Sequence, residues 1–177
     1  VIVDATKFGF EPGTMNPEAI VYSPLGDNQA GMAGVLDTGS IEAVVNIGTS
    51  GQLSVPLVDY AFSPQLETRP FPDGRFIQTY AALCGGWSYT YLAEFFQQVV
   101  EQVGGQTITL LDVMSAMDRF CETDHADDLK VDTRFAGERL APGRSGSVTG
   151  IGTANLTPKN LTKSFVRGIV AELANAS

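Results

Sequence analysis

Apolar residues recur along this chain with two periods, and each period marks a different kind of element. Leu92, Phe95, Phe96, Val99 and Val103 share one face of a helix that begins after Gly85-Gly86 and stops at Gly104-Gly105. Leu110, Val113, Met114, Met117 and Phe120 form a second such face, opened by Thr109 with Asp112 three residues on, the spacing of a capping box. Thr157-Pro158 predicts a third helix, an N-cap followed by proline at the first helical position, with Leu161, Phe165, Ile169 and Leu173 recurring every four residues on the buried side. Strand patterns cover residues 41–47 and 52–57 on either side of Gly48-Thr49-Ser50-Gly51, which reads as a hairpin with a Gly-rich turn. Residues 75–82 predict a further strand, residues 19–23 a short one within an otherwise loop-like opening, and residues 129–152 a glycine-rich strand-and-turn region. The proline-rich, charged residues 58–74 read as a loop.

Composition narrows the classes of function. The chain has 177 residues, 44% of them hydrophobic, enough for one sizeable core or parts of two domains. Eleven Lys and Arg against twenty Asp and Glu give a net charge of −9, which argues against nucleic acid or an anionic membrane as partner. Cys84 and Cys121 are too few for a disulfide framework and read as free buried thiols, so the expected location is cytoplasmic. No stretch approaches the length of a membrane-spanning helix, and the N-terminus shows neither a basic nor an apolar targeting segment. The chain opens on Val1 without an initiator Met, so the expectation is a piece from the middle of a longer polypeptide.

Chemistry concentrates in residues 26–54. Asp27 stands between Gly26 and a run of small residues, Ala30, Gly31, Ala33 and Gly34, that predicts the start of a closely packed helix. The carboxylate reads either as a proton acceptor facing a cleft or as a helix N-cap. The 48–51 turn offers backbone N–H groups and hydroxyls of the kind that cradle phosphate oxygens, although the same residues also suit an ordinary tight hairpin. Gly85 and Gly86 would let a ligand approach the positive end of the helix dipole that follows them. Elsewhere the signals are blander. His125 lies among four carboxylates at residues 122–128 without ligand spacing and reads as a solvated acidic loop. Glu138 and Arg139 read as an ion pair or as cleft residues. Asn155 and Asn160 match the N-glycosylation pattern and are better taken as loop and helix-start chemistry.

The pairing of Gly26-Asp27-Asn28-Gln29-Ala30 with Asn46-Ile47-Gly48-Thr49-Ser50, about twenty residues apart, resembles the central portion of the FGGY carbohydrate kinases. Leu83-Cys84-Gly85-Gly86-Trp87-Ser88 agrees, as does Phe135-Ala136-Gly137-Glu138-Arg139 leading to Gly146-Ser147-Val148-Thr149-Gly150. With Leu129-Lys130-Val131-Asp132-Thr133, that last stretch is most similar to sedoheptulokinase-like members. The resemblance implies an α/β, ribonuclease-H-like fold of the actin-type ATPases, with residues 1–37 closing a first domain and residues 38–177 opening a second. It implies ATP and Mg²⁺ as cofactors, Asp27 as catalytic base and Asn28 as a contact to substrate hydroxyls. Thr49 is implied as a phosphate contact within a turn shaped by Gly48, Ser50 and Gly51, and Gly86, with its neighbour Gly85, as lying beside the terminal phosphate. Gln52 stands where glycerol kinase carries an aromatic, and a long amide suits a larger ketose. The expected acceptor is sedoheptulose first and xylulose or another polyol second; a homodimer is compatible with this, and no dedicated metal site is evident. The family's Asp-x-Gly-Thr segment and its adenine-holding Gly-Gly-Gly or Gly-Gly-Ala run are absent, so the chain alone is expected to be inactive. The reading from a different class is an actin- or heat-shock-type ATP-binding module without sugar kinase activity.

Overall fold

The computed structural model describes residues 26–36, 43–122, 129–138 and 141–175. The readings at residues 19–23, at the turn near residues 37–40, around His125 and at Arg139 lie outside them. Helix α1 (Asp27–Val35) is followed by strands β1 (Val44–Ile47), β2 (Gly51–Leu57), β3 (Glu67–Pro70) and β4 (Phe76–Ala82). Helices α2 (Gly86–Gly104) and α3 (Leu110–Cys121), the hairpin strands β5 (Lys130–Asp132) and β6 (Ser147–Thr149), and α4 (Pro158–Ala174) complete the order. One sheet has the order β1-β2-β4-β3, and β5 pairs antiparallel with β6 in a second. No helix among the described residues is long and apolar enough to cross a membrane.

The chain forms two compact units, the first comprising residues up to Val44 together with Ser54–Thr79. Its small core joins Met32 of α1 to Phe71 and Ile77, with Ala33, Leu36 and Val44 packed around them. Gly31 and Gly34 are exposed, and a Cβ at either would meet nothing within 4 Å, so of the small residues of α1 these two glycines do not serve close packing among the described residues, whereas Ala33 does pack on the core. Ser54 and Thr79 bury their hydroxyls against each other at 2.9 Å across β2 and β4, which satisfies two polar groups that burial would otherwise penalise. Strand β3 lies within the stretch expected to be loop and pairs antiparallel with β4, Glu67 opposite Thr79 and Pro70 opposite Phe76. It is short and at the sheet edge, where a terminal proline forfeits no ladder bond.

The second unit comprises Val45–Leu53 and Tyr80–Ser177. Leu92 and Ala93 of α2, Val113 and Met117 of α3, Val131 of β5 and Phe165 of α4 make its core. Helices α3 and α4 bury the faces their periodicity predicts, and both caps form as expected. Thr109 Oγ1 accepts the Asp112 N–H at 3.2 Å, and Thr157 Oγ1 accepts that of Asn160 at 3.2 Å. Helix α2 ends at Gly105 in the left-handed conformation (φ 63°), but its buried stripe is rotated from the expected one. Ser88 and Ala93 are fully buried, whereas Phe95 is 50% and Val103 82% exposed. Small residues let α2 sit close to its neighbours, a demand that hydrophobicity alone does not register. Cys84 is buried as expected; Cys121 is exposed.

The β5–β6 region is held by charge. Arg134 grips Asp132 through Nε at 2.7 Å and Nη2 at 2.6 Å and also pairs with Glu138, while Arg144 approaches both carboxylates at 3.4 and 3.5 Å. The hydrogen bonds from Arg134 hold the Asp132 carboxyl below its usual range. Glu138 thus has Arg134 and Arg144 as its partners. The amides of Asn155 and Asn160 are engaged locally, Asn155 Nδ2 on the Gly150 carbonyl at 2.8 Å and Asn160 Nδ2 on that of Asn155 at 3.1 Å.

Glu172 of α4 accepts a hydrogen bond from Thr133 Oγ1 at 3.1 Å on Oε2, while its Oε1 is buried with no hydrogen-bond partner. Burial pushes this carboxyl up, with the nearby Asp132 and Glu138 charges adding to the rise and Thr133 and Arg134 opposing it. A carboxyl raised in the fold contributes stability below its unfolded pKa and loses it as pH rises through the folded value. Glu172→Gln keeps an acceptor for Thr133 and removes the charge. It should therefore raise the unfolding midpoint at pH 7 by more than at pH 4. A smaller gain at pH 7 than at pH 4, in thermal unfolding followed by circular dichroism, would contradict this.

Candidate phosphate turn and acceptor-side helix

Strands β1 and β2 are joined through Gly48, Thr49 and Ser50, and the Gly48 N–H closes the turn on the Ser50 carbonyl at 2.9 Å. The turn's other carbonyls face the start of α2. Gly48 O accepts the Gly86 N–H at 2.7 Å, and Thr49 O accepts the N–H groups of Gly85 and Trp87, each at 3.1 Å. These are donors that a helix start leaves without intrahelical partners, and here the turn satisfies them. The peptide bonds are trans, so each amide N–H points opposite to its carbonyl. With the carbonyls of Gly48 and Thr49 aimed at α2, the N–H groups of Thr49 and Ser50 point away from it. Neither has a backbone acceptor among the described residues. Thr49 is exposed, so its hydroxyl and two adjacent N–H groups stand where an anion could accept from them.

Gly85 and Gly86 make this contact sterically feasible. A Cβ on Gly85 would lie 2.4 Å from the carbonyl carbon of Ser50 and 2.6 Å from the Gly51 nitrogen; one on Gly86 would lie 2.7 Å from Gly48 O. The sequence offers two glycines ahead of a helix and a Gly-rich turn, but not that one packs on the other. Trp87, next in line, stacks on Tyr91 with ring centroids 5.5 Å apart. Beside the turn lies a largely apolar cavity of about 650 Å³, whose walls include Ile47, Thr49, Trp87, Met114, Val166 and Ile169.

Asp27 belongs to the first unit and is exposed. It is the first residue of α1, not its cap. Gly26 occupies the N-cap position in extended conformation with no side-chain cap, and Asp27 Oδ1 accepts the N–H of Asn28 at 2.7 Å. That bond uses one lone pair of one oxygen and leaves the carboxylate able to take a proton. Next to it Asn28 Nδ2 is buried with no hydrogen-bond partner, and in the second unit Gln52 Oε1 is in the same condition. Apart from Glu172 Oε1, these are the described side-chain atoms so placed, and both belong to residues expected to contact sugar hydroxyls. Leaving a buried amide group unpaired costs about 1–3 kcal/mol, which a hydroxyl ligand can relieve. Among the described residues no group of three or more His, Cys, Asp or Glu side chains is placed to hold a metal ion.

No protein-family model matches the chain, and no curated protein matches it in sequence. Solved structures do match. Xylulose kinase from Rhodospirillum rubrum aligns with a TM-score of 0.63 at 19% identity over 84% of this chain and 30% of its own. Xylulose kinase from Bifidobacterium adolescentis aligns at 0.61 and 18% identity over 85% and 29%, and gluconate kinase from Lactobacillus acidophilus at 0.56 and 18% over 74% and 26%. The chain spans under a third of the length of these proteins. The shared property at such identities is the fold: α/β, ribonuclease-H-like, that of a segment of the actin-type sugar kinases.

Proposed function

We propose that the chain is the central segment of an ATP-dependent ketose kinase, residues 1–37 closing its first domain and residues 38–177 opening its second. The observation that carries this is the condition of Asn28 and Gln52: the two residues assigned to a polyol each bury a polar atom that has no hydrogen-bond partner among the described residues. In the reaction, Asp27 accepts the proton of the acceptor hydroxyl as its oxygen bonds to the γ-phosphorus of ATP. The bond from that phosphorus to the β,γ-bridging oxygen breaks, and ADP leaves with the electron pair. Asn28 orients the sugar. Thr49, through its hydroxyl and N–H, and Ser50, through its N–H, hold the terminal phosphates, with Gly48 and Gly51 shaping the turn and Gly85 and Gly86 backing it. Mg²⁺ carried with ATP would neutralise charge on the transferring group.

The sugar is a ketose. Sedoheptulose is suggested by residues 129–150, and xylulose by the names of several matched kinases. Calorimetric titration of the intact protein with each ketose, without nucleotide, separates this reading from a nucleotide-binding module of the actin or heat-shock kind. A sugar kinase should bind one of them at micromolar to millimolar concentration, roughly the usual range for enzyme substrates. MgATP binding without affinity for any sugar would favour the nucleotide module.

A further inference from the structure

We propose that Gly85 and Gly86 are positioning residues that fix the 48–51 turn, and that their N–H groups are not phosphate ligands. The inference rests on the reading of that turn as the phosphate contact. A pair of glycines at a helix start suggests free N–H groups waiting for an anion. Here those donors are spent: the amides of Gly85, Gly86 and Trp87 all bond to the turn carbonyls at 2.7–3.1 Å. What the glycines supply is the absence of a side chain, since a Cβ on either would lie within 2.4–2.7 Å of turn backbone. The contact orients two peptide planes at once, and their far edges carry the N–H groups of Thr49 and Ser50. Hydrogen-bonded peptides polarise one another, so the field of α2 reaches an anion through the turn and not at the helix end itself.

Residue-resolved amide hydrogen exchange on the intact protein separates the two roles, with the magnesium complex of a non-hydrolysable ATP analogue as probe. In the nucleotide-free protein the Gly85, Gly86 and Trp87 amides should already be protected and should change little on adding the analogue. The Thr49 and Ser50 amides should exchange fast and then slow by about tenfold or more. Gly85 and Gly86 amides that are open in the free protein and protected only with nucleotide would overturn the positioning role and make them direct ligands. Protected helix amides with no response at Thr49 and Ser50 would overturn the phosphate role of the turn itself. As a second measurement, Gly86→Ala keeps the N–H and drives a methyl group onto Gly48 O. Analogue affinity and turnover should each fall about tenfold or more, because small displacements of positioning groups are costly, while ketose affinity stays unchanged. Unchanged analogue affinity in that variant would overturn the proposal.

Discussion

Replacing Asp27 with asparagine should lower turnover of the intact protein by roughly two to four orders of magnitude while leaving its fold and ketose binding in place. Asparagine matches aspartate in size and keeps an oxygen for the Asn28 N–H, which Asp27 accepts at 2.7 Å. It cannot take a proton at neutral pH. Because Gly26 holds the N-cap position, the substitution removes no cap, only a negative charge near the positive end of a nine-residue helix. That charge is worth about 0.3–1 kcal/mol, too little to unfold a domain. Sugar affinity should survive because Asn28 and Gln52 are untouched. A variant that folds, binds ketose and still phosphorylates it at near the parent rate would reduce Asp27 to a helix-start residue.

Thr49→Val is the companion on the nucleotide side. Valine keeps the branched shape and the N–H, so the 48–51 turn should retain its bonds to Gly85, Gly86 and Trp87. Only the hydroxyl is lost. A hydrogen bond to a charged phosphate oxygen is worth about 1.5–3 kcal/mol, so kcat/KM for MgATP should drop by roughly 10- to 150-fold with stability unchanged. If steady-state kinetics are unaffected, the hydroxyl touches no phosphate.

The parts of the fold visible in the sequence are those specified locally. Thr109 with Asp112, Thr157-Pro158 and Gly104-Gly105 each set a helix end within a few residues, and the structure uses all three. The hairpin around residues 48–51 is equally local. What escaped depends on partners distant in the chain. Strand β3 exists because β4 offers it a ladder, and four residues ending in proline do not announce that. The burial of Ser88 and Ala93 follows from how closely α2 meets its neighbours, while Phe95 and Val103, more apolar, are left in the open. Among the described residues Glu138 pairs with Arg134 and Arg144, partners that its sequence neighbours do not suggest. At the candidate site, residue types pointed to Asp27 and Thr49 and the family resemblance to Asn28 and Gln52, and the structure adds their condition: Asp27 and Thr49 are exposed, and Asn28 and Gln52 each hold an unpaired buried amide atom. That Gly85 and Gly86 back the turn could not be read without the three-dimensional contact.

The most direct test of phosphoryl transfer to a ketose is product balance. Intact protein is incubated with MgATP and, in turn, xylulose, sedoheptulose, glucose and glycerol, and both ADP and the phosphorylated sugar are quantified by mass spectrometry. One ketose should yield ADP and ketose monophosphate in equal amounts, far above the rate without sugar, and glucose and glycerol should not. ADP formed at the same rate with and without every sugar, and no sugar phosphate, would contradict the assignment.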